Sequence, residues 1–226
     1  MVRDKVGAVI VAAGSSHRMS GVDKILATIA GQPLLAHVVG VFQTSPAIDR
    51  IVVVLSAANL EWGRRLVKEH GFSKVVEVCQ GGERRQDSVA EGLKRLADCQ
   101  WVVIHDGARP CITADLIEQG LSEARDTGAA IAAVPVKETV KVVDAEGVIR
   151  STPRRENLWA AQTPQVFRAD IIRQAYGQQS GEVTDDAALV EALGYKVKIY
   201  MGSYDNIKVT TPEDLALAEI ILRKKG

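Results

Sequence analysis

The sequence predicts an α/β fold, a doubly wound and mostly parallel sheet of Rossmann-like type, and three observations carry that expectation. Short, nearly unbroken apolar runs rich in β-branched residues recur along the chain at Val6 to Ala12, Ile51 to Leu55, Trp101 to His105 and Ala129 to Val134. Such runs are the pattern of strands buried on both faces. Helical patterns separate them at Pro33 to Thr44, Glu61 to His70, Asp87 to Ala97 and Thr113 to Thr127, so the order is strand then helix, and right-handed crossovers make the strands parallel. Aromatic residues make up 4% of the 226 and hydrophobic residues 46%, so Val, Ile, Leu and Ala must fill the core.

Each element has a local reason. Pro33 suits a first helical turn, and Thr113 and Thr211 can cap helices through a hydroxyl acceptor. Asp115 after the one, and Glu213 with Asp214 after the other, complement the positive end of a helix dipole. A further strand is read at Ser73 to Cys79, and a final helix from about Pro212 to Arg223. The stretch 136–155 breaks the rhythm, because ETVKVVD and VIRS alternate around Ala145-Glu146-Gly147 and read as a two-stranded hairpin. A hairpin at that point has little core of its own, so it is expected to project and to pack on a second copy of the chain. The partition is one domain over 1–226 with an arm at about 136–157.

Composition narrows the function. Lys plus Arg and Asp plus Glu number 28 each, so nothing global attracts a polyanion and nucleic-acid binding is not expected. The apolar runs are too short for a membrane span, and residues 1–5 do not open a signal peptide. Cys79, Cys99 and Cys111 are an odd number without metal-ligand spacing, which points to a reducing, cytoplasmic setting.

Ligands of such sheets collect at the carboxyl ends of strands. After the first strand comes Ala12-Ala13-Gly14-Ser15-Ser16-His17-Arg18-Met19, a loop of small residues through which backbone amides can approach phosphate, with Arg18 and Lys24 adding cations. The same residues serve equally as a tight strand exit with solvated charges. Neither GxxxxGK[ST] nor GxGxxG is present, which disfavours P-loop and hydride chemistry. His105-Asp106-Gly107-Ala108-Arg109-Pro110 puts a carboxylate at a strand end, able to meet a substrate hydroxyl or a cation, or to form an Asx-turn paired with Arg109. His105 itself reads as a hydrogen-bonded core residue. Gly81-Gly82-Glu83-Arg84-Arg85-Gln86-Asp87-Ser88 opens a helix at the same edge, where the glycines admit a flat base and Ser88 offers a hydroxyl, or Asp87 or Ser88 caps the helix. Arg155 and Lys208 taken singly are surface cations.

Taken together, AAGSSHRM with Lys24, GGERRQDSV, HDGARP, WAAQTPQVF at Trp159 to Phe167, and NIKVTTPEDLALAE at Asn206 to Glu219 resemble the 2-C-methyl-D-erythritol 4-phosphate cytidylyltransferase family nearly end to end. The resemblance implies a nucleotide-diphospho-sugar transferase type of fold, a homodimer built through the arm, CTP and a polyol phosphate as substrates, and Mg²⁺. It assigns Arg18 and Lys24 as transition-state stabilisers, and Arg155 and Lys208 as the groups that position the incoming phosphate. Ala12, Ala13, Gly14, Gly82 and Ser88 correspond to the cytidine pocket. Asp106, Arg109, Thr139, Thr163 and Thr184 correspond to substrate contacts, with Asp106 also the candidate metal ligand and Thr139 and Arg155 reaching the neighbouring subunit. The chain departs from the family at Ser16 and His17, where a second glycine is common. Alternatives are a cytidylyltransferase for another polyol phosphate, such as ribitol 5-phosphate, and a non-catalytic CTP-binding module. The transferase reading requires Arg18, Lys24, Arg155 and Lys208 to converge on one cluster of phosphoryl oxygens, whereas simple binding would not need two separate cation pairs.

Overall fold

An apolar strand with no polar face can satisfy its backbone only inside a sheet and its side chains only under helices on both sides. The computed structural model, which describes residues 3–14, 24–178 and 181–225, builds that arrangement. In chain order the strands are β1 (Val6–Ala12), β2 (Thr28–Ile29), β3 (Gln32–Pro33), β4 (Arg50–Leu55), β5 (Val75–Gln80), β6 (Trp101–Asp106), β7 (Ala129–Pro135), β8 (Val142–Val143), β9 (Ile149–Ser151), β10 (Trp159–Arg168) and β11 (Lys198–Met201). The helices are α1 (Leu34–Thr44), α2 (Leu60–Glu69), α3 (Arg85–Lys94), α4 (Ala114–Thr127), α5 (Ala169–Gly177), α6 (Asp186–Ala192) and α7 (Pro212–Lys225).

Seven strands form the main sheet in the order β11-β7-β10-β6-β1-β4-β5. The pairs of β1 with β4 and β6, of β4 with β5 and of β11 with β7 are parallel. Strand β10 runs antiparallel to both of its neighbours, β6 and β7. Every residue of β1 is buried, and its side chains alternate between two apolar clusters, Ala8 and Ile10 on one face and Val9 and Val11 on the other. Burying each such Val or Ile contributes about 1.5–3 kcal/mol, which is why this strand occupies the middle of the sheet.

The helices expected from periodicity are present within a few residues. Thr113 caps α4, its Oγ1 accepting from the Leu116 amide at 3.4 Å, and Gly128 ends the helix in the left-handed region. Thr211 Oγ1 accepts from the Asp214 amide in the same way. Pro33 stands just before α1 rather than inside it. At the start of α3, Asp87 Oδ2 accepts from the Arg84 amide at 3.1 Å, closing the turn that follows Gly81 and Gly82.

The sheet is mostly parallel, as expected, and two details go beyond the sequence reading. Trp159 to Arg168 inserts an antiparallel strand between β6 and β7. WAAQTPQVF carries a proline and two glutamines, which mask it as a strand. A register shift between Ala161 and Gln165 and a cis Thr163–Pro164 bond accommodate the proline. The arm is the expected hairpin but a shorter one: β8 and β9 contribute two and three residues and are joined through a turn with Gly147 at φ +79°. Elements β11, α5 and α6 were not read from the sequence.

Helix α3 rests on β1 and β4 through Gly92, where an added Cβ would run into Val9 Cγ1 and lie 3.3 Å from Val54 Cγ2. Gly92→Ala, which in an exposed helix would stabilise, should therefore destabilise the protein by about 1–3 kcal/mol in urea melts.

Candidate active site

Three chain segments end together at the carboxyl edge of the sheet: the exit of β1, the exit of β5 and the last residue of β6. They line one pocket whose wall includes Ala12 to Gly14, Gly82 and Ser88, with Lys24, Arg85, Asp106 and Lys208 around it. The close approach of the first two segments requires the absence of a side chain. A Cβ on Gly81 would come within 2.5 Å of Ser88 Oγ and 2.6 Å of Ala13 Cβ. Ser88 is buried, and its hydroxyl donates to Arg84 O at 3.2 Å.

Asp106 is the charged centre. Its side chain is 10% exposed, with Arg85 Nε 3.0 Å from Oδ1, Lys208 Nζ 2.7 Å from Oδ2, and Arg109 Nε 3.9 Å from Oδ2. Burial by itself would raise the carboxyl's affinity for a proton, but the charges of Arg85 and Lys208 outweigh it and hold Asp106 well below the usual carboxylate range. Arg85 is held in turn. Burial disfavours its charge, yet Asp186 and Asp106 more than offset the penalty, and Nη2 sits 2.8 Å from the buried Asp186 carboxylate.

The position of Asp106 is set from behind by a chain of hydrogen bonds with a determinate direction. The Asp106 amide donates to Thr163 Oγ1 at 3.0 Å, the Thr163 hydroxyl donates to His105 Nδ1 at 3.0 Å, and His105 Nε2 donates to Arg109 O at 3.2 Å. That sequence requires a neutral imidazole with its proton on Nε2. His105 is fully buried, and burial pushes it from 6.5 down to about 4. Asn206, also fully buried, ties the opposite wall together: its Nδ2 donates to Thr163 O at 2.8 Å and its backbone carbonyl accepts from Arg109 Nη1 at 2.7 Å. The Val209 amide then donates to Ala108 O at 2.8 Å, so Lys208 leaves a turn that is anchored on both sides.

The structure brings Ala12, Ala13, Gly14, Lys24, Gly82, Ser88, Asp106 and Lys208 together. Arg18, with Ser16 and His17, lies outside the described residues. Arg109 and Thr163 stand behind Asp106; Thr163 Oγ1 and Arg109 Nη1 bond protein groups, while Arg109 Nε is buried without a hydrogen-bond partner among the described residues. Thr139 and Arg155 are exposed on or beside the arm, with Arg155 Nη1 donating to Lys137 O at 2.8 Å; neither lines the pocket within one chain. Thr184 is exposed ahead of α6. Sequence reasoning missed Arg85, Asp186, Tyr176 and the structural part played by Asn206. Spacing held a clue for Arg85, since it precedes the buried Val89 by four residues and so shares its helix face.

A pocket at the carboxyl edge, with small residues on one wall and cations on the other, suits a nucleotide triphosphate. The family model for IspD, 2-C-methyl-D-erythritol 4-phosphate cytidylyltransferase, matches residues 6–224. The chain belongs to this nucleotidyltransferase family. The 2-C-methyl-D-erythritol 4-phosphate cytidylyltransferase of Dehalococcoides mccartyi is 56% identical over 223 residues, covering 99% of this chain and 98% of that protein. Among solved structures, the 4-diphosphocytidyl-2C-methyl-D-erythritol synthase of Anaerococcus prevotii superposes with a TM-score of 0.86 at 30% identity, covering 97% and 96% of the two chains. The 2-C-methyl-D-erythritol 4-phosphate cytidylyltransferase of Thermus thermophilus gives 0.79 at 30% identity, covering 97% and 99%.

Because His105 is neutral in the fold and protonates readily in the unfolded chain, its contribution to stability is complete above pH 6.5 and is lost as pH falls from 6.5 towards 4. Denaturation midpoints measured across that interval should fall for the native protein and fall less for His105→Gln.

Proposed function

We propose that this chain transfers the cytidylyl group of CTP to 2-C-methyl-D-erythritol 4-phosphate, releasing pyrophosphate, in the non-mevalonate route to isoprenoid precursors. The observation that carries the reading is the shared pocket of Ala12 to Gly14, Gly82, Ser88, Lys24, Asp106 and Lys208 in a member of this family. Cytosine lies against the bare backbone of the two glycine-bearing loops, where Gly82 and Ser88 present backbone and hydroxyl groups. The triphosphate runs along the exit of β1 towards Lys24.

No protein nucleophile is needed. An oxygen of the substrate phosphate, already anionic at neutral pH, attacks the α-phosphorus, and the bond to the bridging oxygen of pyrophosphate breaks with its electron pair going to the leaving group. The protein brings two anions into line and meets the charge that grows on the non-bridging oxygens, a task for Lys24 together with Arg18. Lys208 positions the incoming phosphate, and Arg155 does so from the arm of a second subunit, with Thr139 beside it. The arm exposes Val142, Val143, Val148 and Ile149, the apolar surface a homodimer would cover.

In this reading a magnesium ion arrives on the nucleotide, and Asp106 is the wall carboxylate that would meet it beside the phosphates. When bound, the ion neutralises charge on the triphosphate and on departing pyrophosphate. Three buried, free cysteines agree with a reducing cytoplasmic setting.

The first test is pyrophosphate release from CTP with 2-C-methyl-D-erythritol 4-phosphate and, side by side, ribitol 5-phosphate; faster turnover of the ribitol ester would reassign the acceptor, and release with neither would favour a binding module. Lys24→Ala and Arg18→Ala should each lower kcat by about 10² to 10³, the loss seen when a charge-stabilising donor is removed. Unchanged release by Lys24→Ala would remove the role given to it. Mixed dimers of Arg155→Ala and Lys24→Ala subunits should regain activity that neither homodimer has, and no recovery in dimers shown to be mixed would refute a site shared across the arm.

A further inference from the structure

Of the three cations within 4 Å of Asp106 among the described residues, Arg109 stands off at 3.9 Å, and the two in hydrogen-bonding range differ in kind. Lys208 has a side chain 41% exposed and a flexible stem, and meets Asp106 at Oδ2, while Arg85 is 28% exposed and grips Oδ1 through Nε. Arg85 is itself fixed from behind, because Nη2 reaches the Asp186 carboxylate at 2.8 Å, and Asp186 is 1% exposed at the start of α6. The other oxygen of Asp186 accepts from the Tyr176 hydroxyl of α5 at 2.6 Å. Burial and the neighbouring Asp186 charge keep that phenol protonated and able to donate. A continuous line therefore runs from Tyr176 through Asp186 and Arg85 to the pocket carboxylate.

The contrast matters because the reading above asks Lys208 to serve a phosphate, whereas here it is paired with Asp106. A buried carboxylate cannot give up a cation without another to keep its charge compensated. We propose that Arg85, braced by Asp186 and Tyr176, is the positioning residue that keeps Asp106 compensated and in place, so that Lys208 can leave the carboxylate for the incoming polyol phosphate. The inference rests on the pocket reading given under Proposed function. Arg85 suits the role as Lys would not, since a guanidinium spans two carboxylates in fixed geometry and an ammonium is a point charge. Its action passes through Lys208, so its effect should fall on the acceptor and not on CTP.

The test is steady-state kinetics of Asp186→Asn, which keeps the shape of the side chain and removes the brace. With Lys208 then retained by Asp106, KM for the polyol phosphate should rise about tenfold while KM for CTP stays within about twofold, a coupling of ordinary size for groups in one ionic network. Adding Asp186→Asn to Lys208→Ala should raise that KM no further, because the path ends at Lys208. Arg85→Lys should behave like Asp186→Asn in the otherwise native chain. If Asp186→Asn does not fold, Tyr176→Phe carries the same test, with a rise in the acceptor KM of about two- to threefold expected. A rise equal for both substrates, additivity with Lys208→Ala, or a fall in melting temperature with both KM values unchanged would overturn the proposal and assign these residues to structure. Native protein assayed alongside separates the two readings: release by the native chain with unaffected variants sinks this inference alone, and no release by the native chain sinks the pocket reading and this inference with it.

Discussion

One buried carboxylate at the end of a central strand organises this molecule. Asp106 is removed from water by the sheet and must be compensated by cations that the fold supplies from elsewhere, Arg85 from the start of α3, and Lys208 from the turn ahead of α7. Each of those cations is placed by a different segment, so the ionic centre also ties together parts of the chain about a hundred residues apart. An uncompensated charge in such a site is far more costly than a surface pair is favourable, so at least one of these cations must stay with the carboxylate.

The groups behind Asp106 show how a rigid wall is made from hydrogen bonds between buried side chains. Thr163 accepts from one side and donates to the other, His105 is held as a neutral tautomer, and Asn206 joins the strand β10 to the loop that carries Lys208. None of these side chains need touch a substrate to matter. They fix the backbone from which the pocket groups depart, and a pocket built on strands and short anchored turns holds its geometry better than one built on long loops.

Periodicity made much of the fold legible. Continuous apolar strands alternating with helices imply a parallel sheet, and that topology alone directs attention to the carboxyl edge. The loops at Ala12 to Gly14 and Gly81 to Gly82 and the carboxylate at Asp106 were found there because small residues and an acid stand at strand ends, a local signal. Strand β10 escaped because its proline and glutamines conceal a buried segment, and the burial of Gln162, Thr163 and Gln165 is repaid by hydrogen bonds to distant residues. Arg85 escaped for a similar reason: beside Arg84 it looks like one of two surface cations, and although its spacing to Val89 hints at the inner helix face, its acid partners come from β6 and the start of α6.

The amino-acid sequence by itself determined the α/β class, the positions of most helices, the short hairpin and the family to which the motifs belong, because these follow from spacing and residue type within short windows. Tertiary structure decided which cations are paired with which acids, which hydroxyls turn inward and where the antiparallel strand enters. Those outcomes depend on desolvation and on contacts between segments remote in the chain, and neither is written in any local run of residues.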